Sequence, residues 1–108
     1  MSITETNTVD GMGISEDKTG LALLISDHLD WEKEYEHLLL LQDKINAYIS
    51  FIETQQYQSI YPAYVFTNFV IEIHFKYEIV ESCSKFIKAV SEQIKPLNIS
   101  IRAIALDE

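Results

Sequence analysis

"NFVIEIHFKY", residues 68–77, alternates without interruption between apolar and polar side chains. Phe69, Ile71, Ile73, Phe75 and Tyr77 fall on one side of an extended chain and Glu72, His74 and Lys76 on the other, because successive side chains of a strand point to opposite faces. Such a strand is half-buried, so its apolar face needs a covering layer, and the flanking segments supply two. Upstream, Trp31, Tyr35, Leu38, Leu41, Ile45, Tyr48, Ile49 and Ile52 recur at three- and four-residue intervals, with Glu32, Glu36, Gln42, Asp43 and Asn46 opposite. That spacing predicts a long amphipathic helix, whose stripe Leu39 and Leu40 widen. Downstream, Ile79, Val80, Cys83, Phe86, Ile87, Val90 and Ile94 form a second helical stripe over about 78–94, which Pro96 stops.

The remaining segments read as strands. "TVDGMGIS" (8–15) and "LALLIS" (21–26) flank the connection "EDKTG" and predict a β-hairpin, with Gly11 and Gly13 marking an edge or a bulge. Residues 97–106 predict a last strand carrying Ile99, Ile101, Ala103 and Ala105 on one face, where the two alanines leave room for a close helix. Residues 1–7 are polar and are expected to fray or to start an edge strand. The order is ββαβαβ, an α+β two-layer sandwich with a four-stranded sheet and both helices on one face. Helix-length connections permit right-handed crossovers and a parallel pair, while the pattern leaves the strand order open. The opposite sheet face, with Glu72, His74, Lys76, Ser100 and Arg102, is either wet or a docking surface. "QQYQSIYPAYVFT" (55–67) has no period and reads as a long functional or mobile loop.

A chain of 108 residues, 47% hydrophobic, is expected to form one domain, 1–108. "MSITETNTVDG" has neither a basic stretch nor an apolar one, and no apolar run reaches the ~20 residues of a membrane span, so a cytoplasmic protein is expected. The single Cys83 excludes an internal disulfide and reads as a packed core thiol. The net charge of −9 is unevenly spread. Residues 1–54 hold eleven Asp or Glu against three Lys, whereas 55–108 hold six against five Lys or Arg. This balance disfavours nucleic acid and anionic membranes as partners and favours a basic protein.

The acidity peaks in "SDHLDWEKEYEH" (26–37), with five carboxylates and two histidines around the only tryptophan. Ser26, Asp27 or Asp30 can cap the helix, and Glu32 and Glu34 suit its positive end, so part of the cluster needs no other role. The rest is a solvated face or a face for a partner. The spacing of His28, His37 and the neighbouring acids matches no metal motif, and no metal or cofactor is expected. No nucleophile elbow, phosphate loop or paired-carboxylate cleft is evident, so no enzyme activity and no catalytic residue is expected. Trp31 with Tyr48, Tyr57, Tyr61 and Tyr64 reads either as core and boundary residues or as interface anchors.

"ISDHLDW" followed by "EHLLLLQDKINAYISFIE" and a nearby "YP" resembles a family of short acidic bacterial proteins that share this turn and a leucine-rich helix. The resemblance covers residues 1 to about 62 and brings no catalytic residues with it. In size and acidity such proteins are similar to immunity proteins that neutralise toxins of neighbouring bacteria, including those of contact-dependent inhibition. The resemblance thus implies an inhibitor of a basic toxin domain, in particular a nuclease. Asp27, Asp30, Trp31, Glu32, Glu36, Tyr57, Tyr61 and Tyr64 are the partner-binding candidates. The alternative is a structural or regulatory module that forms a homo-oligomer through its open sheet face or its leucine stripe.

Overall fold

The chain folds in the order β1 (Gly11–Ile14), β2 (Gly20–Asp27), α1 (Glu34–Glu53), β3 (Asn68–Phe75), α2 (Glu81–Ile94) and β4 (Ile99–Ala105). The computed structural model describes residues 3–5 and 8–105. It is an α+β sandwich: one four-stranded sheet in the order β1-β2-β3-β4, with β1 antiparallel to β2 and the other neighbours parallel. Both crossovers step the same way across the sheet, so crossovers of one hand carry α1 and α2 to the same face.

The alternation in β3 sets the layers. Phe69 pairs with Leu21 and Ile99, Ile71 with Leu23 and Ile101, and Ile73 with Ile25 and Ala103, all on the helix side. Leu21, Leu23, Ile25, Ile71 and Ile73 are wholly buried there beneath Leu41, Ile45 and Tyr48 of α1 and Cys83 of α2. The strand ends one pair earlier than its pattern suggests. Lys76 turns its N–H to Asp27 O at 2.8 Å, and Tyr77 is left exposed instead of reaching the core.

β1 pairs in regular register, Gly11 with Leu24 and Gly13 with Ala22, so it is an edge strand without a bulge. Gly20, which closes the hairpin, lets Asn68 lie close: a Cβ there would stand 2.4 Å from Asn68 Oδ1, so the exposed Asn68 side chain would have to turn aside.

The buried stripe of α1 runs through His37, Leu41, Lys44, Ile45, Tyr48 and Ile52. Tyr35 is 74% exposed and does not join it. The expected stripe was out of phase at its start because Trp31 precedes the helix: its N-cap is Lys33, with no side-chain cap. The expected capping by Ser26, Asp27 or Asp30 is therefore absent. Asp30 Oδ1 instead accepts from Glu32 N–H at 3.1 Å, a turn of its own.

Lys44 holds the N-terminal segment down. Its ammonium donates to Glu5 O (2.6 Å), Thr8 O (2.6 Å) and Asp10 Oδ1 (2.9 Å), and its side chain is fully buried. Asp10 Oδ2 accepts from Ser26 N–H, and the Tyr48 hydroxyl accepts from Asp10 N–H while donating to Leu24 O. Ile3, fully buried, donates its N–H to Ser26 O at 3.0 Å. Fraying thus does not extend to Ile3; residues 1, 2, 6 and 7 of that expectation lie outside the described residues, as do 106–108. At the opposite edge, α2 does approach β4, but Ala103 and Ala105, which share the helix face, stay exposed beside it.

Candidate functional site

The segment between β2 and α1 is braced from inside by one histidine. Asp27, the last residue of β2, accepts from Leu29 N–H through Oδ1 at 3.1 Å and meets His37 Nε2 through Oδ2 at 2.5 Å. His37 Nδ1 lies 2.9 Å from Asp30 O. A carbonyl oxygen can only accept, so Nδ1 carries a hydrogen, and the bond between Nε2 and the Asp27 carboxylate uses a hydrogen on one of those two atoms. Trp31 closes the pair from outside: its ring stacks on the imidazole with centroids 3.8 Å apart and planes 18° apart, and approaches Phe75 at 6.1 Å. Its indole Nε1 is buried and meets no acceptor among the described residues.

On this brace the outward carboxylates stand around two grooves. Asp30, Glu32, Lys33 and Glu36 border the first, a space of about 530 Å³ floored by Leu29, His37 and Leu40. Across Trp31, a second of about 590 Å³ is bordered by Asp30, Glu78 and Glu81 over Tyr77, Ile79 and Val80. Asp30 belongs to both. The Ser82 hydroxyl donates to Glu34, tying the start of α2 to the start of α1. The Lys85–Glu81 pair, 3.9 Å apart with both side chains exposed, leaves Glu81 nearly as available as a lone carboxylate.

The sequence candidates divide between surface and interior. Asp30, Trp31, Glu32 and Glu36 do meet in one surface. Asp27 does not contribute: it is 1% exposed and engaged by His37, and cannot reach a partner. Tyr57, Tyr61 and Tyr64 lie elsewhere. They pack around Phe66, Tyr64 stacked on it at 5.8 Å and Tyr61 edge-on at 6.0 Å, and Tyr57 is itself buried. This cluster follows the C-terminal end of α1, where Thr67 N–H reaches Thr19 O, so the length of a 20-residue helix, ~30 Å, separates it from the acidic turn. One surface combining the acidic helix start with the tyrosine loop does not form.

The sequence suggested His37 only as a metal-ligand candidate, which its spacing disfavoured, and assigned Lys44, Glu78 and Glu81 no part in a site. His37 was discoverable, since 37, 41, 45, 48 and 52 form a cleaner helical stripe than one started from Tyr35. Glu78 and Glu81 were not, because only the parallel pairing of β2 with β3 brings both strand ends to one end of the sheet.

Chemically, the site offers a surface of carboxylates over an enclosed histidine and a buried thiol. His37 has both nitrogens engaged. The Cys83 thiol is buried, and that burial, aided by the Asp27 and Glu34 carboxylates, pushes its pKa up to about 12. Among the described residues no three His, Cys, Asp or Glu side chains are grouped to hold a metal ion, and no helix is long and apolar enough to cross a membrane.

The chain belongs to the DUF6572 family, a family of unknown function, whose model matches residues 1–107. No curated protein and no solved structure matches it.

Proposed function

We propose that this member of the family acts by binding: the acidic surface around Trp31 docks a basic protein domain, and the protein serves in the bacterial cytoplasm as an immunity-type inhibitor of a toxin of that charge. The observation that carries this reading is the concentration of Asp30, Glu32, Glu36, Glu78 and Glu81 around two grooves, whose lining among the described residues includes Lys33 as its one lysine, with Lys85 at the rim beside Glu81. A toxin domain that cleaves nucleic acid must itself be basic to bind phosphate, so its surface complements this one. Carboxylates on such a rim attract the partner during diffusion and reject acidic competitors. Trp31 and Tyr77 between them supply aromatic area of the kind that anchors interfaces.

The test begins with the protein encoded beside this gene. Its toxin-like domain should be retained by the immobilised chain, and association should slow steeply between low and physiological salt. The triple variant Asp30→Lys, Glu32→Lys, Glu36→Lys should keep the wild-type circular dichroism and associate at least about tenfold more slowly at low salt. Unchanged association kinetics in a folded triple variant would remove the acidic turn from the interface.

A further inference from the structure

The two edges of the sheet are finished differently. At the β2 side, β1 is only four residues long, and beyond Gly11 the edge of β2 is closed by side chains and by the N-terminal segment: Ser26 N–H meets Asp10, Leu24 O meets the Tyr48 hydroxyl, and Ser26 O meets Ile3 N–H. At the other side, β4 runs for seven residues, "ISIRAIA", and among the described residues it pairs with β3 alone. It has none of the usual protections of an open edge: no proline, no bulge, and Arg102 as its only charge.

The direction of its free groups can be derived. Phe69 N–H donates to Asn98 O, so in the parallel ladder the even-numbered residues of β4 bond to β3. The N–H and C=O of Ile101, Ala103 and Ala105 therefore point away from the sheet. The side chains there are small, and Ala103 and Ala105 stand exposed on the helix face beside the half-buried Ile101. Backbone of this kind accepts another strand.

We propose that the occupant is a second copy of this chain, its β4 antiparallel to the first about a two-fold axis at Ala103, which joins the two sheets into one. On that axis Ala103 faces Ala103 and Ile101 faces the small Ala105, each pair exchanging two backbone hydrogen bonds. Arg102 then lies opposite Ile104 of the other copy, whereas an axis on Arg102 would oppose like charges. The charge distribution favours this edge as well. The acidic grooves lie beyond the Phe75 and Ala105 ends of β3 and β4, and antiparallel pairing sends those ends in opposite directions, so two chains of net charge −9 meet on a flank where the one charge of β4, Arg102, is already offset by Glu72 at 3.8 Å. Both acidic surfaces stay free, which makes a dimer able to carry two partners.

Sedimentation of the full chain over a range of concentrations tests the proposal, and a dimer is expected. Ala103→Pro removes an N–H that β3 does not use and places the ring on the open edge, where proline is tolerated. It should raise the dimer dissociation constant at least about tenfold, with circular dichroism unchanged. Should that variant fail to fold, Ala103→Lys sets two lysines against each other at the axis and should do the same. A wild-type chain that stays monomeric at high concentration would overturn the proposal, and so would a dimer that survives unweakened in either folded variant.

Discussion

Replacing Lys44 with methionine tests the most unusual contact in the structure. The substitution nearly conserves length and removes a wholly buried ammonium whose three donors reach Glu5 O, Thr8 O and Asp10 Oδ1. The Asp10 side chain is 2% exposed, so the change leaves a buried carboxylate with the Ser26 N–H and no cation. Removing one member of a buried pair costs about 3–5 kcal/mol. The Thr8 carbonyl would add a desolvation cost of ~1–3 kcal/mol if it stayed dry, and less if the N-terminal segment lifts off and lets water in, whereas Glu5 O keeps the Thr8 N–H and hydroxyl as donors. A loss of about 4 kcal/mol is therefore expected from urea unfolding followed through Trp31. At ~4 °C per kcal/mol for a chain of this size, the melting temperature should fall by roughly 12–20 °C. Adding Asp10→Asn, which removes the orphaned charge, should recover more than about 1 kcal/mol, a coupling expected only of residues in direct contact. A loss below about 1 kcal/mol in Lys44→Met, or strictly additive losses in the double variant, would refute the three-acceptor cage.

Ile45→Ala and Ile73→Ala remove fully buried side chains from the two sides of the core, and each should cost about 2–5 kcal/mol in the same unfolding experiment; losses under about half a kilocalorie would misplace the core. Asp17 accepts from the Ser15 hydroxyl and from the N–H and hydroxyl of Thr19, which lowers its carboxyl pKa to about 2. Because the folded value lies below the unfolded one, its contribution to stability is complete above the ordinary carboxylate range and is lost as pH falls toward 2. A carboxyl-detected NMR titration should show that low midpoint, and Ser15→Ala should raise it; a midpoint at 3.8 in the native chain would contradict the turn. Cys83, with its thiol raised to about 12, should resist alkylation at neutral pH in the native state and react promptly in urea, whereas equal rates in both would mean that it is exposed.

Periodicity revealed the elements that bury one clean face. β3 and the two helices were legible because Phe69, Ile71, Ile73, Leu41, Ile45 and Cys83 are apolar residues at apolar positions. The strand order was not legible, since it depends on the direction in which each crossover steps, and an alternating pattern is the same for either direction. The start of α1 misled for a different reason: Trp31 looks like the first member of a helical stripe but spends its ring on His37. Lys44 was hidden more deeply. A lysine on a buried stripe makes sense only when its acceptors are known, and Glu5, Thr8 and Asp10 are brought to it from the other side of the hairpin. In the candidate site, the half contributed by Asp30, Glu32 and Glu36 could be read from one continuous segment, while Glu78 and Glu81 join it only through the fold.

The sheet order β1-β2-β3-β4 is also the order of synthesis. Each strand leaving the ribosome therefore adds to the edge laid down by its predecessor, and none has to be threaded between two strands already paired. The clasp of Lys44 on the N-terminal segment can close as soon as α1 emerges, before β3 exists, so the hairpin and first helix can mature as a unit while the rest is being made. The edge of β2 then waits, through the whole of α1 and the loop after it, for the strand that will cover it. That interval, rather than any step after release, is when a chaperone would have most to do.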